Sequence, residues 1–221
     1  ILSFNAGVVS DYRYRGISQS RFDPALQGGV DYADKSGFYV GAWGSTIKWI
    51  KDTPGVTAGS TELDLYGGYK GTAGDFAYDM GFLRYEYSGN KLSANPSYVN
   101  ANTNEVYGAV TYGLFTAKYS HAISNIFGNS NSKNSYYVDL SATLDLGDGY
   151  SLVPHIGYQK IKNWDAGSYT DYALTLAKDL GNGLSATAAV IGTDAKDGSY
   201  VSPAGKQLGK SGVVVGLKYA F

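Results

Sequence analysis

The sequence predicts an all-β protein, a transmembrane antiparallel up-and-down β-barrel of about twelve strands with short periplasmic turns and long extracellular loops. Three observations predict this fold. Apolar and polar residues alternate with a period of two along much of the chain. Short turns alternate with long polar connections between these segments. The end of the sequence has an apolar residue at every second position. We therefore expect residues 1–221 to form one barrel domain.

The composition agrees with a barrel and excludes several other classes. Charged residues make up 17% of the chain against about 25% in an average soluble domain, whereas aromatic residues reach 14% and are mostly Tyr. No apolar run approaches the roughly 20 residues of a spanning helix, and a mean hydropathy of −0.21 suits a barrel in which only alternate residues meet lipid. A net charge of −1 gives no support to nucleic-acid binding. The lack of Cys excludes disulfide scaffolds, thiolate metal sites and Cys nucleophiles, and no motif indicates a cofactor or a metal.

The first segment sets the strand period. Leu2, Phe4, Ala6 and Val8 are apolar on one parity, while polar residues occupy the other. The same alternation recurs around 62–65, 76–82 and 138–145. In chain order, the predicted strands cover residues 2–14, 24–33, 37–47, 60–70, 75–87, 104–113, 114–123, 135–146, 150–161, 169–180, 184–193 and 212–221.

The connections alternate in length. Short turns are predicted at Ala33–Gly37, Gly71–Asp75, Gly113–Leu114, Leu146–Tyr150 and Leu180–Leu184, and long loops at Gly16–Asp23, Lys48–Gly59, Ser88–Thr103, Ser124–Asn134, Lys162–Ser168 and Asp194–Ser211. An even number of strands returns the chain to its starting side, so we expect both termini in the periplasm and the long loops outside. Because Ile1 begins directly on a strand pattern, we expect the processed form of an outer-membrane protein.

The C-terminal strand resembles an assembly signal. Val213, Val215, Leu217, Tyr219 and Phe221 share one apolar parity, and Leu217, Tyr219 and Phe221 are the predicted signal. An ordinary hydrophobic strand is the alternative. Aromatic residues near predicted strand ends fit interfacial girdles, with a lumenal position open for some of them. They are Tyr12, Tyr14, Tyr69, Tyr85, Tyr87, Tyr112, Tyr119, Tyr150, Tyr158 and Tyr172.

Four stretches carry a family resemblance. They are Ser10–Ser20 (SDYRYRGISQS), Asp23–Tyr32 (DPALQGGVDY), Gly37–Ser45 (GFYVGAWGS) and Glu62–Gly71 (ELDLYGGYKG), followed by a looser similarity through Glu105–Tyr119 (EVYGAVTYGLFTAKY). These stretches resemble the TorF family, a proteobacterial group of outer-membrane barrels presumed to be porins. The resemblance implies an outer-membrane location and a channel, and it implies no catalytic residues.

The parity opposite the apolar one is expected to line the lumen. Its predicted pore-lining residues are Asp11, Arg13, Arg15, Gln27, Asp31, Glu62, Asp64, Asp79, Glu105, Lys118, Asp139, His155, Asp171 and Lys218, together with Thr143, Gln159 and Thr175. A charge facing lipid near the midplane costs about 2–4 kcal/mol, which favours the lumen for these side chains. About twelve strands should leave a narrow pore, and the acidic excess should favour cations. In the alternative, Arg13 and Arg15 pair with Asp31, Glu62 and Asp64 and plug the barrel.

A few residues depart from the simple pattern. Pro154 within a strand predicts a bulge, because proline removes a ladder hydrogen bond. Lys178 has the outward parity but lies near a short turn, where it can snorkel. Arg84 and Glu86 also have the outward parity and should lie above the bilayer. The facing of Tyr39 and Trp43 is left open.

The predicted function is a porin-like channel for passive diffusion of small solutes or ions, with a weak cation preference and no enzymatic activity. An enzyme would need a nucleophile with a base in reach, and the sequence offers only His121 and His155 and no hydrolase motif. The alternatives are a closed barrel acting as an adhesin or envelope-structural protein, and a lipid-modifying outer-membrane hydrolase. The expected partners are outer-membrane lipids and lipopolysaccharide, the barrel-assembly machinery during insertion, and the solutes or ions.

Overall fold

Twelve antiparallel strands form one closed barrel in the computed structural model, which describes residues 1–221. In chain order the strands are β1 (Leu2–Val9), β2 (Arg13–Tyr14), β3 (Ile17–Ser18), β4 (Ala25–Ala33), β5 (Phe38–Thr46), β6 (Thr61–Ala73), β7 (Phe76–Tyr87), β8 (Thr103–Tyr112), β9 (Phe115–Ala122), β10 (Tyr136–Ala142), β11 (Leu144–Gly147), β12 (Tyr150–Lys160), β13 (Tyr169–Gly181), β14 (Leu184–Thr193) and β15 (Gly212–Ala220). β10 and β11 are two pieces of one wall strand, while β2 and β3 form a separate hairpin.

The barrel closes between its first and last strands. Ala6 lies opposite Tyr219 and Val8 opposite Leu217, while β10 pairs with both β9 and β12. Every wall strand therefore has two antiparallel neighbours, which leaves no unpaired sheet edge. The predicted up-and-down barrel of about twelve strands is confirmed.

Connection lengths follow the predicted alternation. The short turns span 34–37, 74–75, 113–114, 148–149 and 182–183, and the long connections span 10–24, 47–60, 88–102, 123–135, 161–168 and 194–211. Two of the long ones contain single turns of 3-10 helix, Leu92–Ala94 and Asp165–Gly167. The predicted extent of the first strand is wrong, because β1 ends at Val9 and not at residue 14.

The outer face is apolar, as a lipid-facing surface requires. Val213 and Leu26 are 68% and 67% exposed although both lie within strands. No helix of the structure is both long enough and apolar enough to cross a membrane. Lys178, on the outward parity, bends to the carbonyl oxygen of Asp148 in a short turn and lies 4.1 Å from the ring centre of Tyr150. This contact matches the predicted snorkelling.

Four of the aromatic residues assigned to the girdles lie inside the barrel. Tyr85 and Tyr87 are each 2% exposed, Tyr12 is buried, and Tyr14 is half-buried. Tyr85 and Tyr87 share the inward parity of β7, and Tyr12 and Tyr14 belong to a segment that has left the wall. Their assignment to a girdle is corrected here.

Pro154 does not cause the bulge expected from the sequence. β12 pairs with β13 without a register shift, with Pro154 opposite Leu174. On the other side of β12, the neighbouring wall strand is interrupted at Thr143, between β10 and β11. A proline nitrogen has no hydrogen to donate, so the consequence is a local gap in the ladder and not an inserted residue. The only register shift of this strand pair lies at Asp145–Gly147, beside the short turn.

Candidate functional site

The connection after β1 turns into the barrel instead of extending away from it. Residues 11–20, here called the inner hairpin, contain β2 and β3, which pair only with each other. Tyr14 lies opposite Ile17, so the turn consists of Arg15 and Gly16. Both have positive φ, 46° and 80°, as a two-residue type I′ hairpin turn requires.

Gly16 lets the tip of the inner hairpin approach the barrel wall closely. A Cβ atom at this position would lie 2.5 Å from Thr193 Cγ2 and 2.8 Å from Asp171 Cβ. Its backbone also lies in the left-handed region, which favours glycine. The tip can therefore seat against β13 and β14 only with glycine here.

Arg15 links the inner hairpin to the opposite wall. Its guanidinium holds Glu105 of β8 in a bidentate pair, with Nη2–Oε2 at 2.8 Å and Nη1–Oε1 at 3.0 Å. Nη1 also donates to Gln159 Oε1 of β12 at 2.7 Å, and the guanidinium carbon lies 4.3 Å from the ring centre of Tyr137 in β10. In the strand order around the barrel these three strands lie across from β1. The inner hairpin therefore spans the lumen.

The base of the inner hairpin is fixed by further polar contacts. Asp11 forms an ion pair with Arg13, and Arg13 Nη1 donates to the carbonyl oxygen of Lys210 at 2.9 Å. Tyr12 Oη donates to Glu62 Oε1 of β6 at 2.7 Å. The hairpin is thus held by side chains and loops, and not by pairing with the wall.

Aromatic rings enclose the inner hairpin on two sides. Tyr14 packs edge-on against Tyr85 and Phe127, with both ring-centre distances at 5.5 Å. Tyr12 packs edge-on against Trp43 of β5 at 5.6 Å. These contacts bury the two tyrosines that precede the turn and add to the polar anchoring.

The lumen between the inner hairpin and the short-turn end contains a network of tyrosines and acids. Tyr39 Oη donates to Asp79 Oδ1 at 2.5 Å and also hydrogen-bonds the Tyr107 hydroxyl. Tyr66 Oη donates to Asp31 Oδ1 at 2.6 Å. Across the inner surface, these phenol groups link β5 to β7 and β8, and β6 to β4.

Lysines and open space lie in the same part of the lumen. Lys70 Nζ lies 4.7 Å from the ring centre of Tyr39, and Lys118 Nζ lies 4.3 Å from that of Tyr107. A cavity of about 200 Å³ lies along β14, β15, β1, β4 and β5, and Lys218 contributes to its lining. This half of the lumen is therefore charged on the wall and open along one side.

His155 lies in a network of acids. Its Nε2 is 2.8 Å from Asp171 Oδ2, and its Nδ1 is 3.3 Å from Asp139 Oδ2. Tyr137 Oη donates to Asp171 Oδ1 at 2.8 Å. Both ring nitrogens thus face carboxylates, which leaves neither of them free to take a proton from a nucleophile. On the outer face, His121 is likewise engaged, by Tyr119 and by a loop asparagine.

Glu62 and Asp64 form an acidic pair on the inner face of β6. Glu62 is 1% exposed and accepts the hydrogen bond from Tyr12. Asp64 Oδ1 is buried and has no hydrogen-bond partner. No Lys or Arg forms an ion pair with either carboxyl group.

All six long connections converge above the inner hairpin around a second cavity, here called the vestibule. Its volume is about 160 Å³, and its floor includes Tyr14 and Gln19 of the inner hairpin. Arg21 in its wall lies 3.7 Å from Asp52, and burial lowers the pKa of the Arg21 guanidinium. Burial also raises the pKa of the Tyr200 phenol.

Comparison with known families places the chain. The family described as "Bacterial protein of unknown function (Gcw_chp)" matches residues 1–221. The chain belongs to this family. A search of curated proteins gives no match.

Solved structures of porins share the fold of this Gcw_chp protein. A KdgM porin has a TM-score of 0.61 at 10% identity, with 99% of each chain covered. A KdgM porin in complex with disordered oligogalacturonate has a TM-score of 0.60 at 9% identity, covering 100% of this chain and 98% of that one. A NanC porin has a TM-score of 0.60 at 11% identity, with 99% of each chain covered. At these identities the similarity establishes the fold.

The structure brings most of the predicted pore-lining residues to the inner side of the barrel, in three groups. The first group lies around the tip of the inner hairpin and on β6, and consists of Arg15, Glu105, Gln159, Glu62 and Asp64. The second is His155 with its neighbours Asp139 and Asp171. The third lies toward the short turns and consists of Gln27, Asp31, Asp79, Lys118 and Lys218. Tyr39 and Trp43, whose facing the sequence left open, also point inward.

Three predicted pore-lining residues do not belong to the wall. Asp11, Arg13 and Arg15 lie in the inner hairpin, because β1 ends before them. The pairing partners proposed for the plugged alternative are also wrong, since Arg13 pairs with Asp11 and Arg15 with Glu105. The arginines thus act from within the lumen.

The vestibule is the part of the site that the sequence does not predict. Its aromatic residues, among them Trp49, Trp164 and Tyr200, come from separate loops. Each of the five long connections other than residues 10–24 carries a single aromatic residue, so no one loop carries a local signal of a shared cavity.

Proposed function

We propose that this protein is a porin-like channel of the bacterial outer membrane for passive diffusion of small solutes or ions, constricted by the inner hairpin. The observation that carries the proposal is a closed barrel with a charged inner face and a hairpin that pairs with no wall strand. Cavities of about 160 and 200 Å³ lie above and below this hairpin. A segment held by side chains can shift without opening the wall, whereas a paired strand cannot.

The similarity of the fold to porins supports an outer-membrane location and a porin-like role. The KdgM and NanC structures are named as porins and cover nearly the same length of chain. We propose that the chain is a TorF-type member among these barrels, resident in outer-membrane lipid and lipopolysaccharide and inserted by the barrel-assembly machinery. We propose no enzymatic role, because both histidines are engaged as described above.

The acids of β6 give the channel a weak cation preference. Glu62 and Asp64 lack basic partners. A carboxylate and a passing ion 4 Å apart interact by about 4 kcal/mol at an effective dielectric of 20. A field of this size biases ion passage through a narrow lumen. Replacing both residues, as Glu62→Gln with Asp64→Asn, should shift the reversal potential in a salt gradient toward the anion value.

Planar-bilayer recording of the refolded protein provides this measurement. Glu86→Gln is a matched control, because Glu86 is an acid on the outward parity and pairs with Arg84 at 2.6 Å. The control should keep the wild-type reversal potential. An unchanged potential in the double variant would refute the assigned selectivity, and absence of any current in the wild type would favour a closed barrel.

The channel model predicts both termini and the short turns in the periplasm. Cysteine substitutions at Asn95, Asn129 and Lys206, in three different long connections, should react with a membrane-impermeant maleimide in intact cells. Substitutions at Asp148 and Asn182, in two short turns, should react only after the outer membrane is opened. Because the protein has no native Cys, background labelling by the maleimide is low. The reverse pattern of labelling would invert the topology.

A further inference from the structure

The vestibule combines residues from every long connection, which sets it apart from the other cavities. Its aromatic side chains include Tyr14, Trp49, Tyr98, Phe127, Trp164 and Tyr200. Because six separate segments meet at this cavity, their aromatic rings lie side by side although each loop supplies only part of the set. The floor is the inner hairpin itself, so anything bound here lies directly above the constriction.

The rings of the vestibule are braced by their neighbours. Trp49 packs edge-on against Tyr87 at 5.4 Å, and Trp164 lies tilted against Tyr200 at 5.6 Å. Tyr200 Oη donates to the carbonyl oxygen of Gly167 at 2.6 Å, which fixes its ring. Trp49 and Trp164 remain only half-buried, so part of each ring is open to a ligand.

Polar groups accompany the rings. Gln19 and Asn129 each use their amide nitrogen on a backbone carbonyl, at 3.0 Å, and their amide oxygens carry no hydrogen bond from the protein. Trp49 Nε1 is buried without a hydrogen-bond partner, which is costly in the unliganded state. Hydroxyl groups of a ligand match such acceptors and donors.

The charge and size of the vestibule narrow the ligand class. Arg21 is the only charged residue of the lining, and Asp52 lies 3.7 Å from it. Because Asp52 offsets the charge of Arg21, the site is close to neutral and suits an uncharged ligand. The volume of about 160 Å³ is close to that of a cavity of about 150 Å³ that holds one benzene ring.

We propose that the vestibule binds one ring of a neutral saccharide, which would be the substrate class captured above the inner hairpin. A pyranose has apolar C–H faces that stack on aromatic rings, and equatorial hydroxyls that hydrogen-bond amides at the ring edge. A purely apolar ring would leave the amide oxygens of Gln19 and Asn129 without donors. As a statement about transported solutes, this inference rests on the proposed channel function.

Tryptophan fluorescence of the purified full-length barrel in detergent tests the site. Two of the three tryptophans, Trp49 and Trp164, line the vestibule, while Trp43 packs on Tyr12 below it. Maltose or cellobiose in the millimolar range should change the emission of the wild type and of Trp43→Phe alike. Trp164→Ala should weaken binding about tenfold. Tyr98→Ala, which removes a 39% exposed ring, should also weaken it and avoids any folding defect of the Trp164 variant.

Each other outcome overturns the inference. No response to the neutral sugars, a response only to galacturonate or only to indole, or equal affinity in the variants and wild type would each do so. Bilayer conductance of the same preparation separates this failure from failure of the channel. Conductance without sugar binding refutes the saccharide site alone, whereas sugar binding without conductance refutes the channel alone.

Discussion

Replacing Arg15 with alanine is expected to raise the single-channel conductance severalfold. Arg15 is the residue that ties the inner hairpin to β8 and β12, through Glu105 and Gln159. Without it the tip keeps the packing of Tyr14 and Gly16 and the hydrogen bond between the Tyr14 and Tyr85 hydroxyls. The base stays anchored through Arg13 and Tyr12. A tip released in this way should open the lumen for part of the time. Single-channel recording in planar bilayers measures the change.

The same substitution should destabilise the barrel. The Glu105 side chain is 1% exposed, and removing its partner leaves a buried charge uncompensated, which costs about 3–5 kcal/mol. Arg15→Ala with Glu105→Ala should therefore recover most of the lost stability while the conductance stays high. Urea unfolding followed by gel mobility gives the stability of each variant.

Arg84→Ala is the matched control for both measurements. Arg84 also forms an ion pair, with Glu86 at 2.6 Å, but its side chain is 40% exposed. An exposed pair of this kind contributes about 0–1 kcal/mol, and it lies outside the lumen. If Arg15→Ala left the conductance at the level of this control, the inner hairpin would not be the constriction.

Local sequence pattern accounts for the barrel but not for the inner hairpin. The alternation of Leu2, Phe4, Ala6 and Val8 fixes which side of β1 faces lipid, because a strand has a period of two. Residues 11–15 continue an alternation of polar and aromatic residues, so they read as more of the same strand. Only the two-residue turn at Arg15 and Gly16 differs, and its left-handed backbone is not evident from the residue types alone.

Distant contacts decide where the inner hairpin goes. The partners of Arg15, Glu105 and Gln159, lie 90 and 144 residues away in the sequence. Nothing near Arg15 in the sequence indicates these partners. The wall positions were predictable because parity is local, whereas the pairing inside the lumen depends on which strands face each other across the closed barrel. The vestibule is unpredictable from the sequence for the same reason.

The seam between β1 and β15 is the second place where a large effect is expected. Phe221 exchanges two backbone hydrogen bonds with Phe4, at 2.8 and 3.0 Å, and its ring stacks on that of Phe4 at 5.8 Å. It also stacks on Tyr219 at 5.4 Å. The side chain of Phe221 is nevertheless mostly open, with 64% of the residue exposed. Its truncation should therefore change the stability of the folded barrel little.

Phe221→Ala should lower the amount of folded barrel in the outer membrane severalfold while leaving the urea midpoint of the purified protein near the wild-type value. This combination is the signature of a side chain that the insertion machinery recognises, because the backbone bonds of the seam do not need the ring. Heat-modifiable mobility of outer-membrane fractions measures the yield.

Tyr119→Ala is the control, since Tyr119 is an outward ring, 45% exposed and stacked on Tyr136 at 5.8 Å, far from the seam in strand order. Equal yields for the two variants would show that Phe221 acts as an ordinary lipid-facing residue, and a lowered urea midpoint would assign its effect to packing at the seam.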